Sequence, residues 1–203
     1  MNPASLPNSS LIDDAHYLIV FACQRRLNLP NFAHTFATFA HVVRDGGVPR
    51  LDDEQSFSIS WLPRSLDISF FGAPTIGGNI GLDVTLRWVR KRGAQSSAWG
   101  PFRIKPDLHR RARERADYLA GGVPQFVVLD GRTRPDRAFN CIHALSDLGL
   151  TKELLGTGIA YGNRASRKVA RYLRPWFEDD AKAHPWVWDT FWREKHPVTF
   201  RSL

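Results

Sequence analysis

The sequence predicts an α+β domain, a mixed or antiparallel sheet with helices packed on it. Segments of period-two hydrophobicity, rich in β-branched and aromatic residues, crowd the first third of the chain. Amphipathic segments of helical spacing follow from about residue 81 onward. Two cysteines in 203 residues give no disulfide framework, so a packed core must hold the chain together. At 43% hydrophobic and 12% aromatic residues, the chain can build one.

Each element has a local reason. Residues 1–14 are polar with two prolines and predict a loose arm. "AHYLIVFACQR" predicts a strand and "NLPN" a turn. "HTFATFAHVVRDG" alternates, with Thr35, Ala37 and Phe39 on one side and His34, Phe36, Thr38 and Ala40 on the other, and ends at Gly46-Gly47. "SFSISWLPR" predicts a third strand, stopped by Pro63, and the Gly- and Pro-rich stretch 64–80 a long loop. "GLDVTLRWVRKRG" is assigned to a helix from its Leu82, Leu86 and Val89 spacing, although its Val and Thr also suit a strand. "KPDLHRRARERADYLAGG" is a helix between Pro106-Asp107 and Gly121-Gly122. "PQFVVLDG" predicts a short strand closed by an Asp-Gly turn. A helix then opens at Cys141, with the stripe Ile142, Leu145 and Leu148, and a Gly-rich link, "GTGIAYGN", leads to a basic helix ending at Pro175. The tail carries Trp186, Trp188 and Trp192. The expected organisation is an arm over 1–14, a main domain over 15–155, and a helical, Trp-rich extension over 156–203 packed on that domain.

A net charge of +8 raises the question of an anionic partner. Arg164, Arg167, Lys168, Arg171 and Arg174 form a stripe opposite Ala165, Val169, Leu173 and Trp176, which describes a solvated helix face over a core-facing one. The competing reading is a binding surface for nucleic acid or another anionic surface at Arg164, Arg167, Lys168 and Arg171. No zinc-finger or RNP motif accompanies the charge. "GTGIAYGNRAS" is neither a Walker A loop nor a strand-anchored GxGxxG, and reads as a connection with Asn163 as helix cap. No apolar run is long enough to span a membrane, and the first residues lack the features of a signal peptide, so a soluble, cytoplasmic protein is expected.

The chemistry centres on "FNCIHALSDL". Asn140 is a suitable N-cap, which puts Cys141 in the first helical turn, where local N–H groups favour a thiolate. Cys23, inside "LIVFACQ", reads as a buried core thiol. His143 lies about 200° round the helix from Cys141, so "CIH" is a poor metal pair. There is no CxxC or HxxxH, and "DDE" at 52–54 reads as a solvated turn. No metal and no cofactor is expected.

"HTFATFAHV", "SFSISWLP" and then "FNCIHALSDL" after "QFVVLD" resemble, in order and character, the circularly permuted papain-like peptidases of the NlpC/P60 superfamily. The nearest pattern is the YiiX and lecithin:retinol acyltransferase-like branch, whose nucleophile also sits in an Asn-Cys motif. The resemblance covers roughly residues 16–150 and implies a permuted papain-like fold, with His34 as general base and Cys141 as nucleophile. The third member is open. Ser58 and Ser60 share a face of the next strand, while Glu54 would be the stronger electrostatic partner and is placed narrowly ahead of Ser60. Asn140 and Trp61, the neighbours of Cys141 and Ser60, are the expected substrate-binding residues. The function expected is a cysteine-dependent hydrolase or acyl transferase acting on a peptide, amide or lipid-like acyl substrate. The alternatives are a non-enzymatic basic binding module and an inactive papain-like fold.

Overall fold

A computed structural model describes residues 14–25, 33–69, 73–129, 138–150, 155–156 and 161–203. In chain order, β1 (Asp14–Gln24), β2 (His34–Asp45), β3 (Val48–Leu51), β4 (Phe57–Ile59), β5 (Trp61–Pro63) and β6 (Thr75–Asn79) come first. Next are α1 (Leu82–Lys91), β7 (Gln95–Ile104) and α2 (Pro106–Ala120). Then follow β8 (Gln125–Phe126), β9 (Ala138–Phe139), α3 (Cys141–Ser146), α4 (Asn163–Tyr172), α5 (Pro185–Phe191) and β10 (Thr199–Phe200). The architecture is α+β.

β1 lies in the middle of the larger sheet because its apolar run leaves it no solvent face: Leu18 to Cys23 are all at most 1% exposed. It pairs antiparallel with β2 on one side and with β7 on the other. β3 and β4 continue the sheet antiparallel beyond β2, and β10 joins β7 in parallel, which makes the sheet mixed. A smaller sheet runs β5-β6-β8-β9. One face of the large sheet, with Leu18, Val20, Ala37 and Phe39, packs on Leu108 of α2, Leu145 of α3 and Val169 of α4. The other, with Ile19, Phe21, Phe36 and Ala40, packs on Leu86 of α1 and on Val187 and Trp188 of α5.

The C-terminal residues are built into this core. Ser166 of α4 donates to the Phe21 carbonyl at 2.9 Å, which uses its single proton, so Thr35 donates to Ser166 across 2.8 Å. Trp188 packs against Phe21 with ring centroids 5.7 Å apart. Arg164, Arg167, Lys168 and Arg171 are all exposed, on the face of α4 opposite the buried Ala165 and Val169. No helix among the described residues is long and apolar enough to cross a membrane.

Several expectations need correction. The stretch 64–80 contains β6, which pairs with both β5 and β8. β7, one of the longest strands, occupies a stretch that the sequence left without an element. The third strand is two strands in two sheets: Ser60 N–H donates to Asn79 Oδ1 and the Asn79 amide donates to the Ser58 carbonyl, so the chain changes sheets at Ser60. Among the described residues of "PQFVVLDG", only Gln125–Phe126 is strand. Asn163 is the first helical residue of α4 rather than its cap, which is Gly162 at φ 54°. The proposed arm, apart from Asp14, lies outside the described residues, as do the "NLPN" turn, the Asp130-Gly131 turn and residues 157–160 of the Gly-rich link.

β6 fits only because Gly77 has no side chain. A Cβ there would lie 1.9 Å from Cζ2 of Trp61, a fully buried ring whose Nε1–H donates to the Phe139 carbonyl at 3.0 Å. Gly77→Ala should therefore cost about 1–3 kcal/mol by overpacking. Urea unfolding checks this, and an unchanged midpoint would show that Trp61 is not held against β6.

Candidate active site

Local geometry fixes the start of α3. Asn140 is extended at φ −91° and ψ 178°, and its Oδ1 accepts from the N–H groups of Ile142 and His143, each at 3.0 Å. Asn140 is therefore the N-cap and Cys141 the first helical residue. Cys141 is partly exposed on the wall of a narrow pocket of about 60 Å³. His34 and Thr35 at the start of β2 line the same pocket, as does Asn140. The rest of the lining is mainly apolar, from Leu62, Ile68, Phe126 and Val128.

His34 is 1% exposed and is held in place by a hydroxyl pair. Its Nε2 lies 2.9 Å from Ser60 Oγ, and that oxygen lies 2.8 Å from the Thr85 hydroxyl of α1, which is itself 3.0 Å from the Gly81 carbonyl. The ring stacks on Phe36 at 5.3 Å and meets the edge of Trp88 at 6.0 Å. Its Nδ1 is buried and has no hydrogen-bond partner among the described residues. An orphaned N–H is costlier than an orphaned lone pair, which assigns the proton to Nε2, donated to Ser60, and leaves Nδ1 as a bare base. Burial pushes the His34 pKa down to about 3, so the ring rests neutral.

The structure brings some of the expected site residues together and separates others. Cys141, His34 and Asn140 meet at the pocket, and Ser60 holds His34 from behind. Glu54, placed ahead of Ser60 from sequence, does not reach His34. It is exposed in the turn before β4, where its N–H donates to Asp52 Oδ1 at 3.1 Å and its carbonyl accepts from Arg113 at 2.7 Å. Trp61, expected to bind substrate, is instead buried support beneath the segment leading to Cys141. Cys23 is the core thiol the sequence indicated: burial, then the charge at Cys141, pushes its pKa up to about 12. His143 is buried in α3. Thr85 was missed. Its one sequence signal is a polar residue on the apolar face of α1, between Leu82 and Val89.

The chain matches no protein-family model, no curated protein and no solved structure.

The two thiols should therefore behave differently. Iodoacetamide at neutral pH should alkylate Cys141 and spare Cys23 until the protein unfolds, as read by peptide mapping. Preferential labelling of Cys23 would contradict the burial assigned to both.

Burial of His34 also sets a pH dependence. The unfolded ring titrates near 6.5 and the folded one near 3, so between these values the unfolded chain binds more protons. The stability contribution is complete above about pH 6.5 and is lost as pH falls toward 3. Burial depresses His109 to about 4, adding to the same acid limb. Urea midpoints should fall through this window, and His34→Gln should flatten the slope in part. An identical slope in that variant would show that His34 is not buried neutral.

Proposed function

We propose that the protein is a cysteine-dependent hydrolase or acyl transferase, with Cys141 as nucleophile and His34 as general base, on a permuted papain-like arrangement. The observation that carries this reading is that His34 and Cys141 line one pocket, with the His34 ring fixed by Ser60 through Nε2 and its Nδ1 without a hydrogen-bond partner among the described residues. The strand-borne histidine precedes the helix-borne cysteine in the chain, the order that the permuted arrangement requires.

With an amide, ester or thioester in the pocket, the thiol turns toward Nδ1 and gives up its proton as sulfur attacks the carbonyl carbon. The C–S bond forms and the carbonyl π pair moves to oxygen. Collapse of that adduct expels the amine, alcohol or thiol, which takes the proton from His34 and leaves an acyl-enzyme. Water or a second acceptor, deprotonated by the same Nδ1, then attacks the acyl carbon, and sulfur departs and is reprotonated. Burial makes the imidazolium a transient species, so His34 rests as a neutral imidazole. The apolar lining favours an aliphatic acyl group over a charged one.

The test is a panel of chromogenic esters, thioesters and amides followed by intact-mass analysis. We expect an acyl adduct on Cys141 that is absent from Cys141→Ala. Removing the base with His34→Ala should slow turnover by about 10²–10⁴-fold. Ser60→Ala should cause a smaller loss and Glu54→Ala none. Turnover that survives Cys141→Ala would sink the assignment.

A further inference from the structure

A second group of reactive side chains sits at the other end of the β1–β2 ladder. β1 carries Asp14 and His16 two residues apart and therefore on one face, and the register sets His41 of β2 directly opposite His16. One ligand atom from each of Asp14, His16 and His41 lies within 4.8 Å of the others.

The hydrogen bonding of His41 is the most informative feature. Its Nδ1 is 3.0 Å from Asp52 Oδ2, and its Nε2 contacts Asp14 Oδ1. Neutral imidazole owns one N–H, so it cannot donate to both carboxylates. Either a second proton or a cation must separate one nitrogen from the oxygen it faces. His109 of α2 forms a wall of the group, its ring 4.3 Å from that of His16 and 6.1 Å from that of His41. Its Nε2–H is committed to the Gln55 carbonyl at 2.8 Å. The group thus sets two histidine rings beside two carboxylates, the combination that suits a divalent cation.

We propose that Asp14, His16 and His41 bind a divalent transition cation of the zinc type, with Asp52 as the outer carboxylate that orients His41. Two nitrogens and one oxygen are an accepted donor set for such ions and leave a fourth position open to water or another ligand. The cation takes the place of the direct contact between His41 Nε2 and Asp14. The Asp52 contact then holds the proton on Nδ1 and presents the Nε2 lone pair to the metal, the usual outer arrangement for a ligating histidine. His16 is stacked on His41 with 13° between the rings, so it must turn about its side-chain torsions to share the ion. It is only half-buried, which gives it room. The site is separate from the thiol pocket: seven residues of strand from His41 to the pocket's His34 span roughly 23 Å.

The test is a titration of the metal-free protein with Co(II), followed by displacement with Zn(II) in a calorimeter. The proposal predicts one saturable equivalent, with an absorption spectrum typical of nitrogen and oxygen ligation. His16→Ala should lower affinity by more than about 100-fold, and Asp52→Asn by about 10–100-fold, the usual effect of losing an outer partner. His41→Ala should abolish binding, and because His41 is buried, the partly exposed His16→Ala decides the matter if His41→Ala does not fold. Cys141→Ser should leave binding unchanged, which separates this site from the proposed nucleophile. Absence of saturable binding, full affinity in His16→Ala, or loss of binding in Cys141→Ser would each overturn the proposal.

Discussion

The antiparallel pairing of β1 with β2 sets Cys23 opposite His34 at one end of the ladder and His16 opposite His41 at the other. Both strands are buried on both faces over most of their length, so each side chain is committed to a particular layer. A slip of one residue would exchange the two faces, moving Thr35 off Ser166 and His34 off Ser60. The pocket therefore depends on the same register that builds the core. α4 reinforces it, because the chain from Thr35 through Ser166 to the Phe21 carbonyl ties the helix to both strands at once.

Dryness explains the choice of hydroxyls behind His34. Ser60 and Thr85 are both fully buried, and a carboxylate in their place would be a buried charge needing a full complement of partners. Hydroxyls hold the ring at lower desolvation cost. They also stabilise an imidazolium less than a carboxylate does, which agrees with a ring that rests neutral. The proposed chemistry is accordingly one in which the imidazolium exists only while the substrate is reacting.

Elements whose signal is local were legible in the sequence. β1 and β2 announce themselves by apolar runs and alternation, α2 by its periodicity and glycine stop, and α3 by an asparagine placed to cap it. β7 was hidden by Gly100-Pro101, which normally breaks a strand. Here the pair sits in a register shift, where β1 steps from Leu18 to Val20 while β7 steps from Phe102 to Trp99, and the irregularity absorbs it. β6 was hidden by its two glycines, one of which is required beneath Trp61. Glu54 looked the better partner for His34 because charge can be read from sequence, whereas the change of sheet at Ser60 cannot. No spacing rule could have joined His16 to His41, which lie 25 residues apart and meet only through the strand register.

The central claim is that His34 acts on the Cys141 thiol, and it can be tested without knowing the substrate. The measurement is the second-order rate of Cys141 alkylation at neutral pH in the parent protein and in His34→Asn, with folding of the variant confirmed by circular dichroism. Alkylation should slow by at least about 10-fold in His34→Asn, since general-base assistance commonly contributes about 10² or more. Equal rates in the two folded proteins would contradict it.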